Sequence, residues 1–171
     1  MISTVQLSSG RLEKFLDKLP DALSKGIERG LERATEHLRS AVAELAQSPL
    51  GASTVGSFGE YAASVRGAVQ DERGRSIGEV FLAPPADQYG LFVEVGTQPH
   101  FPPPGALLGW VRRRLGIAAE RQVREVAFLI GRKIARQGTQ GHFFFEKALR
   151  DNEQKVIALL EQELDQALTA E

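Results

Sequence analysis

The sequence predicts an α+β fold, with a small antiparallel sheet of three to four strands packed against a long N-terminal helix and a C-terminal helix, and a helical insert between the two. Two observations carry this. Apolar residues recur every three or four positions over two long stretches, one near each end of the chain, which is the signature of amphipathic helices. Between them lie short apolar segments punctuated by glycine, proline and polar turns, which is the signature of strands.

The first helix is set by Leu19, Leu23, Ile27, Leu31, Ala34, Leu38, Val42 and Leu45, and the spacing predicts it over about residues 20 to 47. Pro20 suits its first turn, where no N–H is needed, and Ser48-Pro49-Leu50-Gly51 stops it. Gly26 and Gly30 each cost roughly 1 kcal/mol of helix propensity relative to alanine, so they mark a close approach by another element. Ahead of the helix, Ile2 to Leu7 reads as a strand and Gly10 to Asp17 as a helical turn.

Tyr61 to Val69 and Ile77 to Leu82 flank the polar connection Asp71-Glu72-Arg73-Gly74-Arg75 and predict a β-hairpin. Leu91, Val93 and Val95 alternate with Phe92 and Glu94, which predicts a further strand ending at Gly96. Prolines at 99, 102, 103 and 104 then impose a loop, since they lack the backbone donor and restrict the residue before them. Helical spacing returns over Ala106 to Leu115 and about Ala118 to Gln137, with Gly138 as the stop, and again from about Phe144 nearly to the end. No linker or repeat divides the chain, so residues 1–171 read as one domain with a helical insert at about 105–137.

Composition narrows function. There are 21 basic and 22 acidic residues, which disfavours a globally basic nucleic-acid binder. Cysteine is absent, so disulfides, thiolate metal sites and cysteine nucleophiles are excluded. No apolar run of membrane-spanning length and no leader pattern is seen, and a cytoplasmic product is expected. No phosphate-binding glycine loop, nucleophile elbow or HExxH pattern occurs. The expectation is therefore no catalytic residue, no cofactor and no bound metal.

Two stretches bear a resemblance. Phe92-Val93-Glu94-Val95-Gly96-Thr97 precedes His100 and the Pro102 to Pro104 run, and Gly138-Thr139-Gln140-Gly141-His142-Phe143-Phe144-Phe145 leads to Ala148-Leu149. In content, order and separation these resemble the small tail-component proteins of the head-to-tail joining region of long-tailed siphophages, the minor tail protein Z-like family. The insert from Ala106 to Gln137 departs from many members. The resemblance implies a structural virion protein without catalysis, assembled as a homo-oligomeric ring, six copies being expected, in the neck or completing the tail. Its implied partners are further copies of itself and the neighbouring connector or stopper, tail terminator and tail tube, with possible non-specific contact to DNA in the lumen. A tail terminator or other minor tail protein is the alternative within that class.

The interface candidates are Glu94, Gly96, Thr97, His100, Phe101, Trp110, Arg112, Arg113, Arg114, His142, Phe143 and Phe144. Glu94 is expected to cap the Gly96 to Phe101 turn or to meet a neighbour's arginine, and Gly96 and Thr97 to shape that turn. The phenylalanines either fill the core or, with Phe101 and Trp110, fill a neighbour's pocket. From Trp110 to Gln137 eight basic residues face two acidic ones, whereas Glu161, Glu163, Asp165 and Glu171 have no basic residue among them. This segregation fits solvated helix faces, charge complementarity between subunits, or arginines near DNA. Two readings of other classes stand beside the first: a nucleic-acid-binding accessory protein using the arginine-rich helices, and a metal-dependent hydrolase built on Glu94, His100 and His142.

Overall fold

The computed structural model describes residues 5–8, 21–48, 58–72, 75–103 and 105–169. It is an α+β fold with the two long helices and the insert in the expected places. Strand β1 (Val5–Ser8) precedes α1 (Asp21–Gln47), then come α2 (Phe58–Ser64), β2 (Val65–Asp71) and β3 (Ser76–Leu82). A 3-10 turn at Ala86–Gln88 leads into α3 (Gly90–Val95) and β4 (Gly96–Thr97). Helices α4 (Leu108–Leu115) and α5 (Glu120–Gln137) form the insert, and β5 (Thr139–Gln140) and α6 (Phe144–Thr169) close the fold.

The main sheet is antiparallel with order β1-β3-β2, so the hairpin's second strand is central. Val80 pairs with Val5 on one side and Gly67 on the other. Along β3 the alternation buries Gly78, Val80 and Leu82 under α1 and leaves Ile77, Glu79 and Phe81 partly exposed on the far face. Helix α1 lies close because glycines let it. A Cβ on Gly67 would stand 2.8 Å from the Thr35 methyl, and one on Gly78 would strike the Thr35 hydroxyl. Ala34, Leu38, Val42 and Ala46 of α1 meet Tyr61, Val65, Val80 and Leu82, and Phe144, Phe145, Ala148 and Val156 of α6 complete this core.

Helices α1 and α6 run antiparallel in close contact. Gly26 faces Ala167, Gly30 faces Leu160, and His37 Nε2 lies 2.8 Å from Asn152 Oδ1. Gly26 and Gly30 thus mark the close approach expected from their low helix propensity. Glu163 is buried on α6 and accepts from Arg29 Nε at 3.1 Å and Arg33 Nη1 at 2.5 Å, tying the far ends together.

Two segments differ from their expected structure. Tyr61 to Ser64 is helical rather than extended, and pairing starts only at Val65. Tyr61 and Val65, four residues apart, are both buried, a separation that suits a helical turn entering the strand. Gly90 to Val95 is a single helical turn, not a strand. In so short an apolar run the two periods are hard to tell apart. Here the buried pair is Gly90 and Glu94, one turn apart, while Phe92 and Val95 are exposed. The helical turn expected at Gly10 to Asp17 lies outside the described residues, as do residues 2 to 4 of the first strand.

Candidate functional site

The two stretches singled out in the sequence meet. Gly96 and Thr97 pair antiparallel with Gln140 and Thr139 in a two-residue ladder, β4 with β5. The Thr97 and Thr139 hydroxyls lie 3.0 Å apart, and the Thr139 N–H also donates to Thr97 Oγ1 at 3.2 Å. Beyond the ladder, the N–H of His142 donates to the Val93 carbonyl at 2.9 Å and that of Phe143 to the Glu94 carbonyl at 3.1 Å. Gly96, at φ 77, occupies a conformation that side chains disfavour, and a Cβ there would collide with the Thr139 carbonyl. Gly138, at φ 68, is equally constrained against the Thr97 carbonyl.

At the centre of this junction is the carboxylate of Glu94, which is 4% exposed. The Tyr61 hydroxyl donates to Glu94 Oε1 at 2.5 Å and the Phe145 N–H to Oε2 at 3.2 Å. Glu94 therefore satisfies a free N–H in the first turn of α6, a task an N-cap side chain usually performs locally. Burial pushes its carboxyl above the usual range, opposed by the bonds from Tyr61, Phe145 and Phe144 and by the charge of Lys147. Burial also raises the Tyr61 phenol, with the Glu94 charge adding to it. Glu94 does not cap the Gly96 to Phe101 turn as expected: its carboxylate turns to Tyr61 and α6 instead, and its 4% exposure leaves little surface for the expected contact with a neighbour's arginine.

The aromatic entry to α6 divides its rings. Phe144 and Phe145 are each 4% exposed and lie in the core, Phe144 with its ring 5.6 Å from Tyr61. Phe144 is thus a core residue and not an interface ring, and Gly96 is likewise buried. Phe143 is 40% exposed and held at φ 53, a conformation uncommon for a bulky residue. His142 stacks on Phe144 at 5.2 Å, and burial lowers its pKa, with the Lys147 charge adding to it. His100 is exposed and its Nδ1 lies 2.9 Å from the Gln98 carbonyl. Among the described residues no group of three His, Cys, Asp or Glu side chains is placed to hold a metal ion. No helix there is long and apolar enough to cross a membrane.

Between β4 and β5 the insert folds into a helical arm. Val111 of α4 and Val123 of α5 are fully buried, and each of these helices has the other as its main packing partner. At the base of the arm, Phe101 and the buried Pro102 pack on Gly131, and Phe101 lies 6.2 Å from Phe128. Trp110 is half-buried in α4. Arg112 pairs with Glu120, Arg124 also pairs with Glu120 at 3.2 Å, and Arg121 pairs with Glu125 at 2.9 Å. The side chains of Arg113 and Arg114 lie outside the described set. An open groove of about 560 Å³ lies between α1 and α6, lined by Glu32, Glu36, His37 and Lys155. Sequence reasoning missed Tyr61 as the partner of Glu94. A tyrosine 33 positions away in an apolar segment gives no local sign of it.

Comparison with protein-family models, with curated proteins and with solved structures finds no match to this chain.

Proposed function

We propose that the chain is a non-enzymatic structural component of a long-tailed bacteriophage virion, acting in the neck or completing the tail through ring assembly. The resemblance of the Phe92 to Pro104 and Gly138 to Leu149 stretches to siphophage tail components motivates this reading. The observation that carries it is that these stretches, far apart in sequence, are laced into one junction by the β4–β5 ladder and the Glu94 cap. The residues bearing the resemblance thereby share a structural task. Glu94, the buried carboxylate among them, has Tyr61 and a backbone N–H bound to its oxygens, as a scaffold residue would.

The junction also presents what an assembly protein needs. Phe92, Val95, Phe101 and Phe143 are 40% or more exposed around it, and aromatic rings such as the three phenylalanines dominate interface energetics when a partner covers them. Position within the neck or tail, and a tail terminator or other minor tail role, are finer forms of the same proposal. The nucleic-acid reading draws on the arginines of the arm, three of which are engaged by Glu120 and Glu125.

Deleting the gene from the phage or prophage that encodes it tests the proposal. The expected result is unjoined heads and tails, or defective tails, restored by the chain supplied in trans. Normal, infectious particles from the deletion would contradict it.

A further inference from the structure

Two outward helix faces of this protein are complementary, and they lie on elements that do not pack extensively on each other. On α5, Phe128 and Leu129 are 56% and 60% exposed. Arg132, Lys133 and Arg136 follow at helical spacing, all exposed and in no ion pair among the described residues. On α6, Ile157 and Leu168 are 48% and 61% exposed. Glu161 and Asp165 stand between them, also exposed and in no ion pair among the described residues. One face is apolar with a positive flank and the other apolar with a negative flank. At 1.5 Å per residue they extend about 12 Å and about 16 Å, close enough in length to lie along one another.

We propose that the α5 face of one copy docks on the α6 face of a second copy. A contact between two different surfaces of the same chain is head-to-tail, and it closes into a ring where the rotation allows. Charge of opposite sign sets the register and speeds encounter, while burial of Phe128, Leu129, Ile157 and Leu168 supplies the attraction. Binding of nucleic acid by the α5 face is the competing use of the same charges. The proposal deepens the ring-assembly reading and rests on its premise of self-association.

The test is a reciprocal charge swap read by sedimentation of the full chain at low salt. The wild type is expected to form a discrete oligomer that dissociates as salt screens the contact. The R132E/R136E and E161R/D165R variants, each with wild-type circular dichroism, are each expected to lose the oligomer. An equal mixture of the two is expected to regain it, because each swapped face then meets its complement. Should a reversed variant fail to fold, the neutral pair R132Q/R136Q and E161Q/D165Q replaces it, with loss in each expected. A monomeric wild type, a swap that leaves the oligomer intact, or folded reversed variants that stay monomeric when mixed would overturn the proposal. So would an R132E/R136E variant that loses DNA retention while still oligomerising. Particle incorporation is a separate readout: a chain present in virions yet indifferent to both swaps refutes this contact alone, and one absent from virions refutes the virion reading alone.

Discussion

Glu94 and Phe145 are joined by a hydrogen bond of 3.2 Å from the Phe145 N–H to the Glu94 carboxylate, so a residue before the arm caps the helix that begins after it. With the Tyr61 hydroxyl on its other oxygen, this carboxylate links α2, α3 and α6 at one buried point. The arm leaves and re-enters the body beside it, through β4 and β5.

Removing that link should be costly. Glu94→Ala leaves a buried hydroxyl and a buried N–H without their partner, and each such group costs about 1–3 kcal/mol. A loss of about 2–6 kcal/mol in urea unfolding is expected for the two groups together. Tyr61→Phe should cost roughly 1–2 kcal/mol, and the double variant should lose less than the sum, since both single changes break one bond. Strict additivity would show that the bond contributes nothing.

The paired rings separate folding from surface. Phe144→Ala empties a core position and should destabilise by about 3–5 kcal/mol, whereas Phe143→Ala should stay within about 0.5 kcal/mol of wild type. Equal losses at the two positions would contradict the division of the rings between core and surface.

Gly26 offers a test in which two effects oppose. Alanine there gains roughly 1 kcal/mol of helix propensity. Its methyl, however, would stand 2.8 Å from the Ala167 Cβ and 3.2 Å from the Glu163 carbonyl oxygen, and such overpacking typically costs about 1–3 kcal/mol. Net destabilisation is expected, and Gly26→Ala/Ala167→Gly should recover part of it. A stabilised Gly26→Ala would mean that α1 and α6 sit further apart.

Acid should weaken the fold. Hydrogen bonds from Arg33 and Arg29 lower the Glu163 pKa, so its contribution is present above the ordinary carboxylate value and lost as pH falls through the depressed one. His142, lowered by burial, acts in the same direction from below its ordinary value of 6.5. Glu94 acts oppositely, because a raised carboxyl pKa adds stability at low pH that is lost as pH rises through it. Thermal unfolding across pH checks this: Glu163→Gln should flatten the acid limb, and an unchanged limb would remove Glu163 from its cause.

The long helices, the hairpin and the arm were legible because each repeats its apolar period over many residues or carries a plain turn. Gly26 and Gly30 announced a close approach by another element through their low propensity, and the structure shows that element to be α6. Leu91 to Val95 was not legible, since one helical turn and one short strand bury different residues only once Glu94 has a partner. The β4–β5 ladder, two residues on each side, has no period to read. The role of Glu94 was hidden for a related reason: its partners lie 33 and 51 positions away, and only the closed fold brings them together.

The proposed virion role is tested most directly by cryo-electron microscopy of phage particles produced from the genome that carries this sequence. Density at the head-tail joint or along the tail should fit α1, α6 and the three-stranded sheet in a symmetric ring, with the exposed rings around the junction covered by neighbouring subunits. Well-resolved particles in which no neck or tail density accommodates this fold would contradict it.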